Sequence, residues 1–262
     1  MTLSSVTPAL ATVDGWSITA PTMASAITSI LRAVTAGQPF TVFTLNLDHL
    51  VKLRRNGAFR KAYAHASVVT ADGAPVAWLA KFQNRMIERT TGADLLLPLM
   101  QAAAEAKIPV FLFGSSAGVM SRAGRDLGDH TDGRLDIAGT LAPSESFDPE
   151  GPEADSAIEK IRQSGAKLCF IALGAPKQEI FAERARMKGL ACGMICIGAS
   201  LDFLAGTQIR APQLLRDNGF EWIWRLATNP RRLGRRYAEC AALFFDLTLI
   251  EPVKERMTRI RV

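Results

Sequence analysis

The side chain best placed to accept a proton is Asp72, which follows the short β-branched run Ser67-Val68-Val69-Thr70-Ala71 and precedes Gly73. A carboxylate at a strand end, next to a glycine that lets a ligand approach the backbone, suits a general base. The alternative is a cap for the apolar helix expected from Ala74. Small or polar groups close the other apolar runs as well. They are Thr44 and Asn46, Gly114-Ser115-Ser116, Gly174 to Glu179, and Gly198 to Asp202. Asp202 and Asp94 share the cap alternative with Asp72.

Positive charge gathers elsewhere. Arg210 to Tyr237 carries seven arginines and two tryptophans, Trp222 and Trp224, with little acid. Arginine presents a planar fork suited to phosphate oxygens, and tryptophan suits a boundary that is apolar on one side and wet on the other. Arg225, Arg232 and Arg235 fall near one face of a continuous helix, with Pro230 the point at which that helix would break. The segment reads as a phosphate-handling element near a membrane surface, against the alternative of a solvated basic helix.

Other chemistries are less well supported. Cys192 and Cys196 have a metal-like spacing, but no second Cys or His pair accompanies them, so no metal site is expected. The turn Gly114-Ser115-Ser116-Ala117-Gly118 can offer backbone N–H groups to a phosphate. It lacks both the dinucleotide fingerprint and the Lys-Ser/Thr of a P-loop, so no nucleotide cofactor is expected and an oxidoreductase is disfavoured. His49 and His65 sit on an expected helix with no partner nearby in sequence and read as surface or satisfied core residues.

The elements that must position these groups alternate along the chain. Strands are expected around Trp16–Thr19, Pro39–Asn46, Ser67–Thr70, Ile108–Phe113, Leu135–Thr140, Lys167–Leu173 and Met194–Ile197. Helices are expected over Thr22–Ala36, Asp48–His65, Ala74–Phe82, from Thr91, over Val119–Leu127, Asp155–Ser164 and Glu179–Lys188. Pro143–Pro152, rich in Ser, Pro and Glu, reads as a mobile loop. Apolar strands alternating with helices predict an α/β, doubly wound, mostly parallel Rossmann-like sheet, in which ligands bind beyond the carboxyl ends of the strands. The body is expected over residues 1–206, and 207–262 as a C-terminal helical appendage.

Length and composition agree. The 262 residues, 48% hydrophobic and 21% charged, are enough for a large core. From Arg210 onward, eleven basic face six acidic side chains, so most of the net charge of +6 lies in the last fifth. An anionic partner is therefore expected there. Four cysteines in mostly apolar surroundings predict reduced thiols in a cytoplasmic protein. The N-terminus carries no secretory signal pattern, and no apolar run reaches spanning length, so membrane contact is expected to be peripheral.

Taken in order, Thr44-Leu45-Asn46-Leu47-Asp48-His49-Leu50, Ala71-Asp72-Gly73, TGADLL (Thr91 to Leu96) and GAPKQE (Gly174 to Glu179) resemble the WecG/TagA/CpsF glycosyltransferases, family 26. DFLAG (Asp202 to Gly206), RAP (Arg210 to Pro212), EWIWRL (Glu221 to Leu226) and PRRLGRRY (Pro230 to Tyr237) complete an ordered set covering nearly the whole chain. The resemblance implies inverting, metal-independent transfer from a UDP-sugar to a polyprenyl-diphosphate-linked saccharide at the cytoplasmic face of the plasma membrane. The pathways implied are exopolysaccharide, capsule or cell-wall polymer synthesis. It implies Asp72 as the base, Thr44, Asn46 and Gln178 as pocket residues, and Arg225, Arg232 and Arg235 as cations for the UDP leaving group. Asp202, at the last strand end, joins the substrate-binding candidates. The implied partners are donor, acceptor and an anionic membrane surface approached by Trp222, Trp224, Phe244 and Phe245. The appendage can close over its own body or over a second copy, which makes a homo-oligomer an alternative. Two positions depart from the family pattern, Leu47 for proline and Thr90 for valine, and both leave the transferred sugar open among a hexose, N-acetylmannosamine and its uronic acid. The rival reading is a nucleic-acid-binding module using the basic segment; the strand-end crevice argues against it, and no nucleic acid partner is expected.

Overall fold

The computed structural model describes residues 11–82 and 87–250; the expectations for the first ten residues and for the end of the appendage lie outside them. The chain opens with an antiparallel ribbon of β1 (Ala11–Val13) and β2 (Trp16–Ile18), followed by α1 (Met23–Ala36). Thr22 caps α1 in a reciprocal capping box with Ser25, and Gly37 ends it in the left-handed conformation.

Next come β3 (Phe40–Leu45), α2 (Leu47–Leu53), α3 (Gly57–Ala64), β4 (Val68–Ala71), α4 (Ala74–Phe82) and α5 (Gly92–Glu105). The chain continues through β5 (Val110–Gly114), α6 (Ala117–His130), β6 (Ile137–Leu141), α7 (Pro152–Ser164), β7 (Leu168–Ala172), α8 (Lys177–Met187) and β8 (Gly193–Cys196). Four helices close the described chain: α9 (Ser200–Leu204), α10 (Gln213–Asp217), α11 (Glu221–Thr228) and α12 (Pro230–Phe245). A π-helical turn, Asp246–Ile250, follows the last of them.

Six strands form one parallel sheet in the order β4-β3-β8-β7-β5-β6. The four central strands are buried along their length, which explains their unbroken apolar sequences. Alternate residues feed two cores. Phe43, Leu45, Phe111, Phe113, Cys169 and Ile171 pack beneath α2, α3, α7 and α8. Val42, Val110, Leu112, Leu168, Phe170 and Ile195 pack beneath α1, α5, α6 and α9. The doubly wound parallel architecture expected from the sequence is the one observed.

Three local expectations are corrected. The single helix expected over Asp48–His65 is two, because Asn56 leaves the helix and caps α3 by accepting the Phe59 N–H. β1 was not foreseen; three residues are too few for a period-2 signal. The loop over 143–152 is anchored rather than loose. Phe147 is buried edge-on against Phe113 and Phe181, and Glu153 accepts both the Ser144 N–H and its hydroxyl.

At the turn after β5, Gly114 adopts φ 111°, and a side chain there would meet the Ala172 carbonyl oxygen at 2.4 Å. Only glycine permits β5 and β7 to approach this closely at their carboxyl ends. The C-terminal helices are not detached from the body. α12 packs along α2, and its Cys240 and Leu243 join the core that includes Leu50 and Val51 of α2.

Candidate active site

The site begins with the register of β3 and β4. Leu45 pairs with Ala71, and the Asp72 N–H extends the ladder by donating to the Leu45 carbonyl at 2.7 Å. Asp72 and Asn46 therefore leave neighbouring strand ends side by side. The Asn46 side chain caps α2, its Oδ1 accepting the His49 N–H at 3.0 Å. That bond orients the amide, so Nδ2 donates to Asp72 Oδ2 at 3.1 Å. Thr44 Oγ1 lies at 3.5 Å from the same oxygen. Among the described residues the Asp72 carboxyl is engaged by these two donors and does not cap α4.

Burial pushes the Asp72 carboxyl up to about 6; the Asn46 bond and the Arg225 guanidinium pull it down, while Glu221 and Asp94 push it up. A carboxylate tuned this way is largely ionised at neutral pH, yet basic enough to accept a proton from a hydroxyl as that oxygen forms a new bond.

The three candidate arginines are separated. Pro230 starts a new helix, so Arg225 lies on α11 while Arg232 and Arg235 lie on α12. The single cationic face of a continuous helix is thus corrected, because proline supplies no N–H to carry α11 onward. The positive charge of Arg225 bears on Asp72 and favours its ionised form. The Arg225 side chain is steadied by Glu221 through bonds of 2.9 and 2.6 Å, and its guanidinium lies 5.4 Å from the centre of the Phe203 ring. Arg232 and Arg235 instead line a cleft of about 440 Å³ between α2 and α12, together with Lys52, Arg55 and Arg236.

An ion network absent from the sequence reading joins the appendage to the body at this point. Arg210 donates to Asp94, whose own hydrogen bonds complete the capping box of α5 with Thr91. Arg89 lies between Asp94 at 3.8 Å and Glu221 at 3.9 Å. Burial opposes ionisation of Asp94, but the Arg210 bond and charge outweigh it and hold the carboxyl below its usual range. TGADLL signalled the cap; nothing in the linear sequence paired Asp94 with a residue 116 positions away.

Gln178 is buried and ties two strand ends together. Its Oε1 accepts the Gly198 N–H at 3.1 Å and its Nε2 donates to Glu179 Oε1 at 2.7 Å. Glu179, fully buried, is pushed up to about 7 by burial, and its Oε2 has no partner among the described residues. His49 is a satisfied core residue, with Nδ1 at 2.7 Å from the Tyr63 hydroxyl. Asp202 on α9 accepts from Ser115 at 3.3 Å and Thr207 at 3.3 Å, two strands away from Asp72. The structure thus gathers Asp72, Thr44 and Asn46, with the charge of Arg225 bearing on Asp72, and places Gln178 after β7 and Asp202 after β8. Of the four aromatic residues expected at a headgroup region, Trp222 and Phe245 are exposed, Trp224 is half-buried and Phe244 packs against the core. All four cysteines are free and buried.

The doubly wound parallel sheet, with Asp72, Thr44 and Asn46 together at neighbouring strand ends, is a Rossmann-like architecture of the kind glycosyltransferases use. The sequence model of the Glycosyl transferase WecG/TagA/CpsF family matches residues 11–258, and the chain belongs to that family. It is accordingly a transferase of cell-envelope polymer synthesis, acting on a sugar donor and an acceptor. No helix among the described residues is long and apolar enough to cross a membrane.

Proposed function

We propose that the chain transfers a hexose, N-acetylmannosamine or its uronic acid from a UDP-sugar to a polyprenyl-diphosphate-linked saccharide, with inversion and without a metal. Asp72 takes the proton of the acceptor hydroxyl. The oxygen attacks the anomeric carbon from the face opposite the nucleotide, and the bond from that carbon to the diphosphate oxygen breaks. Arg225 offsets the negative charge that develops on the departing UDP. Thr44 and Asn46 hold the base in place, and Gln178 and Asp202 contact the substrates along the crevice. The observation that carries this reading is the Asp72 carboxyl held at the end of β4 by Asn46 Nδ2 at 3.1 Å and Thr44 Oγ1 at 3.5 Å, with the positive charge of Arg225 bearing on it.

The enzyme works at the inner face of the plasma membrane as a peripheral protein. Ile209 and Leu214 are 80% and 74% exposed, and Phe220, Trp222 and Ile223 are also exposed among the arginines of the same segment. Apolar and basic side chains interleaved in this way suit an anionic lipid surface. The deciding experiment offers the full chain a panel of UDP-sugars with a lipid-diphosphate acceptor and measures UDP release. No acceptor-dependent release from any donor would refute the proposal.

A further inference from the structure

The reaction handles two diphosphates, one on the leaving nucleotide and one between the acceptor sugar and its lipid. They cannot occupy the same place. The leaving diphosphate adjoins the anomeric carbon and so lies near the base, within reach of the Arg225 charge that bears on Asp72. The acceptor's diphosphate lies at the far end of its saccharide from the attacking hydroxyl and needs its own cations, at a distance from Asp72.

The cleft between α2 and α12 has that character. Its lining holds Lys52, Arg55, Arg232, Arg235 and Arg236 against two carboxylates, Asp48 and Glu239, and includes neither Asp72, Thr44 nor Asn46. Asp48 is already held by Lys52 at 2.6 Å and Arg236 at 2.9 Å. Glu239 is held by Arg55 at 3.1 Å and Arg235 at 3.3 Å. Arg232 has no ion pair or hydrogen bond among the described residues, Arg236 Nε is without a partner, and the Arg235 side chain is 90% exposed. The cleft therefore keeps a surplus of three positive charges, with donors uncommitted to protein. From it, α12 runs to an apolar end. There Phe245 is 61% exposed and Leu249 is 58% exposed.

We propose that this cleft is a second diphosphate site and that it takes the diphosphate of the lipid-linked acceptor. Arg232 and Arg235, which family resemblance places with the nucleotide, are on this assignment acceptor residues. Lys52, Arg55 and Arg236 complete the site. The assignment rests on the glycosyltransferase reading above for the identity of the ligand, and on charge and geometry for the site itself.

Calorimetric titration of the full chain with farnesyl diphosphate and, separately, with UDP tests it. The variant Arg232→Gln/Arg235→Gln alters two exposed side chains and spares the core. It is expected to bind farnesyl diphosphate at least about tenfold more weakly, the loss of one charge-assisted hydrogen bond or more, with UDP affinity unchanged. Arg225→Gln is expected to show the reverse pattern. Undiminished farnesyl diphosphate binding in the double variant overturns the site. Loss of UDP binding in its place overturns the acceptor assignment and gives the cleft to the donor. Wild-type protein that binds no UDP sinks the transferase reading, while the farnesyl diphosphate comparison still decides whether the cleft holds a diphosphate.

Discussion

The Asn46 amide nitrogen donates to the Asp72 carboxylate at 3.1 Å, and it points that way because the amide oxygen of the same side chain already caps α2. One side chain thus couples a helix start to the carboxyl proposed as the proton acceptor. The proposed base is positioned from the ends of two paired strands, which limits the reorganisation needed when substrate arrives.

Asp72→Asn is expected to separate catalysis from stability. Loss of the base should cost on the order of 10²–10⁴ in kcat, with UDP still bound. The same change removes a carboxylate that burial disfavours. The native pKa of about 6 lies above the ordinary 3.8, so the ionised group destabilises the fold as pH rises through that interval. The variant should be about 1–2 kcal/mol more stable at pH 7.5, a figure reduced for partial exposure. Urea unfolding and steady-state turnover on the same preparations check both. Normal turnover would remove Asp72 from the mechanism.

The rate should follow ionisation of that group. kcat/KM is expected to rise with pH through about 6 and then level, because only the ionised carboxylate accepts a proton. Asn46→Ala removes a hydrogen bond that favours the charged form, so the rising limb should move to higher pH. It also removes the α2 cap, worth about 1 kcal/mol. A limb that stays in place in this variant would mean that another group governs the profile.

Glu179 offers a stability test independent of turnover. Its native pKa of about 7 exceeds the ordinary 4.5, so the native state holds a proton that the unfolded chain has released. Stability from this group falls as pH rises from about 4.5 to about 7. Glu179→Gln keeps an acceptor for Gln178 and should be more stable than wild type at pH 8 by about 2–3 kcal/mol. The two should converge near pH 4.5. Equal stability at pH 8 would contradict the buried charge.

Arg210→Ala should loosen the appendage without unfolding the sheet. The Arg210–Asp94 pair is largely shielded from solvent, and its loss strands Asp94 beside Arg89 alone. A cost of about 1–3 kcal/mol is expected. Limited proteolysis should cut the segment over 207–220 sooner, and kcat/KM should fall as Arg225 loses its position. Unchanged cleavage together with unchanged kcat/KM would show that the pair does not hold the appendage.

Much of the architecture was legible from local rules. Apolar β-branched runs announced the buried strands, helical spacing gave α1 to within a residue, and TGADLL marked the capped start of α5. Asp72, Thr44 and Asn46 were legible as strand-end residues because a parallel sheet delivers all its carboxyl ends to one edge. Errors arose where the information was not local. Phe147 looked like part of a polar loop until Phe113 and Phe181 were folded against it. Pro230 was visible as a potential break, but not the direction the chain takes afterwards.

The composition, the alternating elements, the residues at each strand end and the basic character of the last fifth belong to the linear chain, since they follow from side-chain type and spacing. The partners do not. That the charge of Arg225 bears on Asp72, that Arg232 and Arg235 open onto α2, and that Arg210 finds Asp94 depend on where α10, α11 and α12 lie against the sheet. The burial of Leu233, Cys240 and Leu243 sets the position of α12, whereas α10 and α11 bury no residue fully and are tied to the body by Arg210–Asp94 and Arg89–Glu221. Charge interactions reach only a few ångströms with full strength, so the tertiary placement of these helices, not the spacing of arginines along the chain, decides which arginine meets which anion.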